Sequence, residues 1–163
     1  MSALTTERER AGLRFDSPEQ EAYLNLWRTY DRLKQQEDEL FARYELTAQQ
    51  YNALRLLRAA HPDKVPTLTL AAQLVSRAPD ITRLLDRLVE RGLIDRERPP
   101  EDRRTVRVGI TEAGTALLAE MAAAIRECHL RQLGHLEPEE LRSLTALLRR
   151  ARGPHEPPES NWR

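Results

Sequence analysis

The spacing of apolar residues changes period at Gly92 and again at Thr111, and few folds accommodate that order. Before Gly92, Ile81, Leu84, Leu85 and Leu88 recur at intervals of three and four, the stripe of one helix face. After it, Val106, Val108 and Ile110 alternate, the mark of a strand with one buried face. Beyond Thr111 the helical interval returns, with Leu117, Met121, Ala124 and Cys128 on one stripe and Leu118 and Ile125 beside it. Strands between helices, with a charged turn at their tip, predict a mainly α chain with one small β-hairpin, an α+β class.

Capping residues set the expected boundaries. Ser17-Pro18-Glu19-Gln20 reads as a helix start, with Ser as N-cap, Pro in the first turn and Gln three residues after the cap. Tyr23, Leu26, Trp27, Tyr30, Leu33, Leu40, Phe41 and Tyr44 follow at helical spacing. Thr47-Ala48-Gln49-Gln50 repeats the capping pattern and opens a second helix, which Pro62 and Pro66 close through a polar loop. Thr69 is placed to cap a short third helix from Leu70 to about Val75. After a break over Ser76 to Pro79, a fourth helix spans about Asp80 to Arg91, with Gly92 where a left-handed cap is wanted. Leu93 to Arg98 and Thr105 to Ile110 are the two strands, joined by the tip Pro99-Pro100-Glu101-Asp102-Arg103-Arg104. Thr111 caps a long helix to Leu133, Gly134 stops it, and Pro138 begins a last helix striped by Leu141, Leu144, Leu147 and Leu148. Residues 1–16 read as a flexible N-terminal arm and residues 153–163 as a flexible C-terminal tail.

The first helix is expected to run for about 26 residues, a rod of roughly 39 Å. The rest of a 163-residue chain is too small to cover it, so a second copy is the expected cover. Residues 17–66 with 111–152 are therefore expected to form a helical homodimerisation body, and residues 67–110 a separate lobe. No run approaches the roughly 18 apolar residues of a bilayer span. Met1 to Arg14 lack the apolar stretch of a secretory signal, and the lone Cys128 suits a reducing compartment. These features point to the cytoplasm, with no membrane partner.

Short helix, tight break, second helix and hairpin, in that order, outline a winged helix–turn–helix. The major groove of DNA admits one helix and offers a readable donor and acceptor code, so a reading helix needs an apolar back and a polar front. In the fourth helix, Ile81, Leu84, Leu85 and Leu88 are the back, and Asp80, Thr82, Arg83, Asp86 and Arg87 the front. Net charge is zero, so binding must rest on where charge sits rather than on its sum. Arg83 and Arg87 suit guanine or phosphate oxygens, and Thr82 a phosphate or a thymine methyl. Asp80 suits a cytosine amine or the orientation of an arginine, and Arg77, in the preceding turn, a phosphate. Arg103 and Arg104 suit the narrow, negative minor groove, with Asp102 orienting one of them. The competing reading is a winged-helix module that binds protein, its arginines serving only solubility.

Three blocks then resemble the MarR family of regulators. They are Leu70-Ala71-Ala72-Gln73-Leu74, the run Ile81-Thr82-Arg83-Leu84-Leu85-Asp86-Arg87-Leu88-Val89-Glu90-Arg91-Gly92-Leu93-Ile94, and the stretch from Glu101 to Gly114 containing Asp102-Arg103-Arg104 and Ile110-Thr111-Glu112-Ala113-Gly114. The resemblance, over about residues 18–152, implies a dimer that reads two half-sites of a pseudo-palindrome in double-stranded DNA. It also implies a repressor, released by a small aromatic or phenolic effector. Arg77-Ala78-Pro79-Asp80 departs from the small hydroxyl residue that often enters the family's reading helix, so base preferences do not carry over.

Trp27, Tyr30 and Tyr51 are the candidate effector-lining residues, although aromatics at helical spacing are more often core or dimer packing. Cys128, on an apolar stripe, reads as a buried structural thiol. His61, His129, His135 and His155 show no compact metal spacing, and no metal or other cofactor is expected. No nucleophile–base pair or phosphate-binding glycine loop suggests an enzyme.

Overall fold

The computed structural model describes residues 15–158 and 160–162, so the expected arm lies outside the described residues apart from Phe15 and Asp16. The chain divides into two units after Gln36, inside the first helix.

The first unit contains the start of α1 (Pro18–Ala42). Its cap is the expected one: the Gln20 amide donates to Ser17 Oγ at 3.1 Å, and Gln20 Oε1 accepts from the Asp16 amide at 2.7 Å. Tyr23 and Trp27 lie one turn apart with ring centroids 6.2 Å apart, and both are exposed, as are Leu26 and Tyr30.

The second unit holds the end of α1 and everything after it. Next come α2 (Ala48–Ala60), β1 (Val65–Pro66), α3 (Thr67–Gln73), α4 (Ile81–Glu90), β2 (Ile94–Glu97), β3 (Arg107–Ile110), α5 (Glu112–Leu133) and α6 (Pro138–Arg152). Helix α2 is the hub, packing on α3, α4, β3 and α5. Thr47 and Gln50 close the expected capping box at its start. The core gathers Leu54 and Leu57 of α2, Leu70 of α3, Leu85 and Leu88 of α4, Val108 of β3 and Met121 of α5, all fully buried. Each such side chain contributes roughly 1.5–3 kcal/mol on leaving water.

Two expectations are corrected. The hairpin is the larger part of a three-stranded antiparallel sheet in the order β1-β3-β2, with Val65 opposite Val108 and Ile94 opposite Ile110. Two residues are too few to show alternation, and Pro66, lacking an N–H, is tolerated because β1 is an edge strand. Helix α3 starts at Thr67 and ends at Gln73, so Thr69 lies inside it and caps nothing. Thr67 ties the helix start to the sheet instead, its amide and hydroxyl both donating to the Val106 carbonyl, at 3.0 and 3.1 Å. After α6, Gly153–His155 forms a 3-10 turn, and the Arg152 guanidinium lies over the Trp162 ring while donating to its carbonyl at 2.8 Å. Among the described residues no helix is long and apolar enough to cross a membrane.

Candidate nucleic-acid interface

The lobe's front is assembled from behind. Helix α2 holds the turn that joins α3 to α4: Asn52 Oδ1 accepts from the Val75 amide at 2.9 Å, and Gln49 Nε2 donates to the Arg77 carbonyl at 3.4 Å. Leu70 and Leu74 pin α3 beneath this turn. Asp80 then caps α4, its Oδ1 accepting from the Arg83 amide at 2.9 Å. Leu84, Leu85 and Leu88 are buried, while Thr82, Arg83 and Arg87 are exposed on the other side of the helix. Gly92 ends the helix with φ +67°, the left-handed conformation expected of it, and the Leu93 amide returns to the Leu88 carbonyl at 3.0 Å.

The arginines of the lobe fall into two groups. Arg91 donates to the carbonyls of Glu45 and Tyr44 at 2.6 and 3.1 Å, and so fastens the end of α4 to the turn after α1. Arg96 pairs with Asp86, and Arg98 closes the wing loop by donating to the Arg103 carbonyl at 3.1 Å. The guanidinium groups of Arg77, Arg83, Arg87, Arg103 and Arg104 are exposed and make no hydrogen bond or ion pair among the described residues. Those five are the arginines picked out by sequence; Arg107 on β3, which sequence did not pick out, is likewise exposed, and its guanidinium makes no hydrogen bond or ion pair among the described residues.

Asp102 shapes the tip through the backbone rather than through a guanidinium. Its carboxylate accepts from the Thr105 hydroxyl at 2.5 Å and the Arg104 amide at 3.1 Å. These bonds, the Thr105 hydroxyl foremost, hold its carboxyl below the usual aspartate range. Between α3, α4 and the wing lies a cleft of about 980 Å³, lined by Thr67, Thr69, Thr82, Arg96, Arg104 and Arg107 among others. A helix front and a loop tip, both bearing uncommitted cations on either side of such a cleft, form a surface for a polyanion.

A sequence model described as the MarR family matches residues 46–106, the stretch from the end of the turn after α1 to the wing loop just before β3. A MarR transcription factor from Planctomyces limnophilus is 57% identical, with 83% of this chain and 98% of that one covered and a TM-score of 0.67. The chain belongs to the MarR family. It is thus a transcription regulator with a winged helix–turn–helix, as the order of its elements predicted.

Two further solved structures resemble it. A mutant MarR from E. coli, solved in complex with operator DNA, is 25% identical over 77% of this chain and 89% of that one, with a TM-score of 0.69. BpsR from Bordetella bronchiseptica, whose DNA binding is regulated by 6-hydroxynicotinic acid, is 26% identical over 80% and 98%, with a TM-score of 0.72.

The three aromatics proposed for an effector are not alike in this MarR-family chain. Trp27 and Tyr30 are exposed on the first unit's helix. Tyr51, in the second unit, stacks on Phe41 with centroids 4.8 Å apart, and burial pushes its hydroxyl above the usual tyrosine range. Cys128 is buried, and burial likewise raises its thiol. Sequence reasoning missed the residues that orient the interface: Gln49, Asn52, Arg91, Arg96 and Arg98. For Gln49, Asn52 and Arg91 the signal is weak because the partner is distant in sequence, up to 47 residues away for Arg91, whereas Arg98 reaches a carbonyl only five residues on.

Proposed function

We propose that this regulator is a ligand-responsive repressor that binds a pseudo-palindromic operator as a homodimer in the cytoplasm. The observation that carries the DNA part is the sorting of arginines. Arg83 and Arg87 on α4, Arg77 before it and Arg103 and Arg104 at the wing tip are exposed and uncommitted among the described residues, while Arg91, Arg96 and Arg98 are spent on the lobe itself. In this reading α4 enters the major groove and Arg83 and Arg87 take guanine or phosphate oxygens, with Thr82 beside them. Arg77 takes a phosphate, and the tip arginines enter the minor groove. Asp80 keeps one carboxylate oxygen on its cap, and the other is left to accept from a cytosine amine. Asp102 keeps the tip in shape for Arg103 and Arg104.

The exposed apolar residues support the dimer. Tyr23, Leu26, Trp27 and Tyr30 on α1, and Leu144 and Leu147 on α6, lie open in the single chain. Residues 17–66 and 111–152 would form the paired body, residues 67–110 the reading lobe, and residues 1–16 and 153–163 flexible ends. The effector part is supported by the kinship with BpsR and its hydroxylated aromatic acid, with Trp27, Tyr30 and Tyr51 as the candidate contacts.

A salt titration with the intergenic DNA beside the protein's own gene tests the reading. Log affinity is expected to fall linearly with log salt, by roughly 0.9 per phosphate neutralised. Half-sites are expected about one helical turn, 10–10.5 base pairs, apart. Arg83→Ala should lose about 1–3 kcal/mol and blur sequence preference. A lasting monomer that prefers no duplex over random competitor would refute the proposal.

A further inference from the structure

Lys64, just before β1, reaches two carboxylates on a strand that is not its neighbour. Its Nζ lies 3.1 Å from Asp95 Oδ2 and 3.0 Å from Glu97 Oε2, both on β2. In the sheet, β3 lies between β1 and β2, so the lysine must span the middle strand. It crosses at Gly109, the residue paired with Asp95. A Cβ at position 109 would stand 3.0 Å from Lys64 Cγ and 3.2 Å from Asp95 Oδ1, in the path of the lysine stem. Glycine weakens a strand interior unless another group approaches closely, and here that group is the stem.

Asp95 and Glu97 are two residues apart on β2 and therefore share a face, which is why one ammonium meets both. Hydrogen bonds to Glu97 and Asp95 hold that ammonium above the usual lysine range. The intervening residue, Arg96, takes the other face of the strand and pairs with Asp86 of α4. The wing is thus gripped from both sides, by Arg96 to the reading helix and by Lys64 to the strand that leads into α3. Direct pairing of β1 with the hairpin is confined to Val65 and Pro66.

We propose that Lys64 is a positioning residue for DNA binding: it straps β2 across β3 and holds Arg103 and Arg104 at a set reach from α4. The proposal rests on the reading of the wing tip as a DNA contact, and its test separates the two. The probe is the tightest duplex that the parent protein selects from a random-sequence library. Affinities are compared for the parent, Lys64→Met, the tip pair Arg103→Ala/Arg104→Ala, and all three changes together.

Lys64→Met is expected to weaken binding by about fivefold in the parent, the scale of a shared surface ion pair. Once the tip arginines are gone, its effect should shrink to less than about twofold, because a strap acts only through what it positions. Lys64→Arg, which keeps a cation, should restore most of the parent's affinity. Gly109→Val, which keeps the lysine but blocks its path, should reproduce the tip-dependent loss with the fold intact by circular dichroism. Equal losses in both backgrounds would overturn the strap, as would parent-like binding by Lys64→Met beside a weakened tip variant. Parent-like binding by the tip variant would overturn the tip reading itself, and the strap with it.

Discussion

Arg96 Nη1 lies 2.5 Å from Asp86 Oδ1, and the same guanidinium reaches the Thr82 carbonyl at 3.4 Å. Thr82 and Asp86 are four residues apart, so one side chain from β2 spans a full turn of α4. The wing is therefore tied to α4 by a guanidinium already committed to a carboxylate and a backbone carbonyl. The Arg96 side chain is one-third exposed and that of Asp86 about half, which limits the pair's worth to that of a surface bridge.

Arg96→Ala and Asp86→Ala should each destabilise the fold by about 0.5–1 kcal/mol. The double variant should lose no more than either single change, because both remove the same interaction. Urea unfolding of the three variants checks this, and fully additive losses would show that the two residues act separately.

Gly114 and Gly153 should respond in opposite ways to alanine. A Cβ at Gly114 would run into the Leu93 carbonyl oxygen and stand 2.7 Å from Ile110 Cγ1, where α5 leaves the sheet. Gly114→Ala is expected to cost about 1–3 kcal/mol, the scale of overpacking. Gly153 has open space around it and a right-handed helical conformation, so Gly153→Ala should be neutral or stabilise by up to about 1 kcal/mol. Thermal melts of the two variants decide it.

Asp102 should titrate below an ordinary aspartate, since its ionised form holds the Thr105 hydroxyl and the Arg104 amide. A carboxyl whose folded pKa is depressed stabilises the fold above its unfolded pKa and loses that contribution as pH falls through the folded value. The wing tip is therefore expected to keep its shape at neutral pH and loosen only in strong acid. A carboxyl-detected NMR titration should show the Asp102 midpoint rising toward the ordinary range in Thr105→Val. An unmoved midpoint would remove the hydroxyl as its cause.

Cys128 should be silent in the folded protein. It is 1% exposed, and burial raises its thiol, so little thiolate is available to react. An aromatic disulfide reagent is expected to label it only as urea unfolds the chain, with the labelling following the unfolding curve. Immediate native-state labelling would overturn this and point to an accessible, reactive thiol.

Much of the lobe was legible before any coordinates. The buried stripe of α4, the left-handed Gly92, the capping box at Thr47 and the alternation of β3 each depend on residues within a few positions of one another. The sheet's third strand was not legible, because Val65 and Pro66 become a strand only where β3 is there to pair with them. The start of α3 was misplaced for the same reason: Thr67 is fixed by the Val106 carbonyl, 39 residues on.

Periodicity and caps alone determined a helix–turn–helix followed by a hairpin, since local spacing dictates which faces turn inward. Position along helix and hairpin already singled out Arg77, Arg83, Arg87, Arg103 and Arg104, and only the tertiary structure decided what occupies Arg91 and Arg96. Arg83, Arg91 and Arg96 look alike as residues, but Arg91 meets backbone carbonyls 46 and 47 positions away and Arg96 meets a carboxylate 10 away. A charge is committed or left open by what folding brings within about 3 Å of it, the range of a hydrogen bond, and that neighbour is not written beside it in the chain.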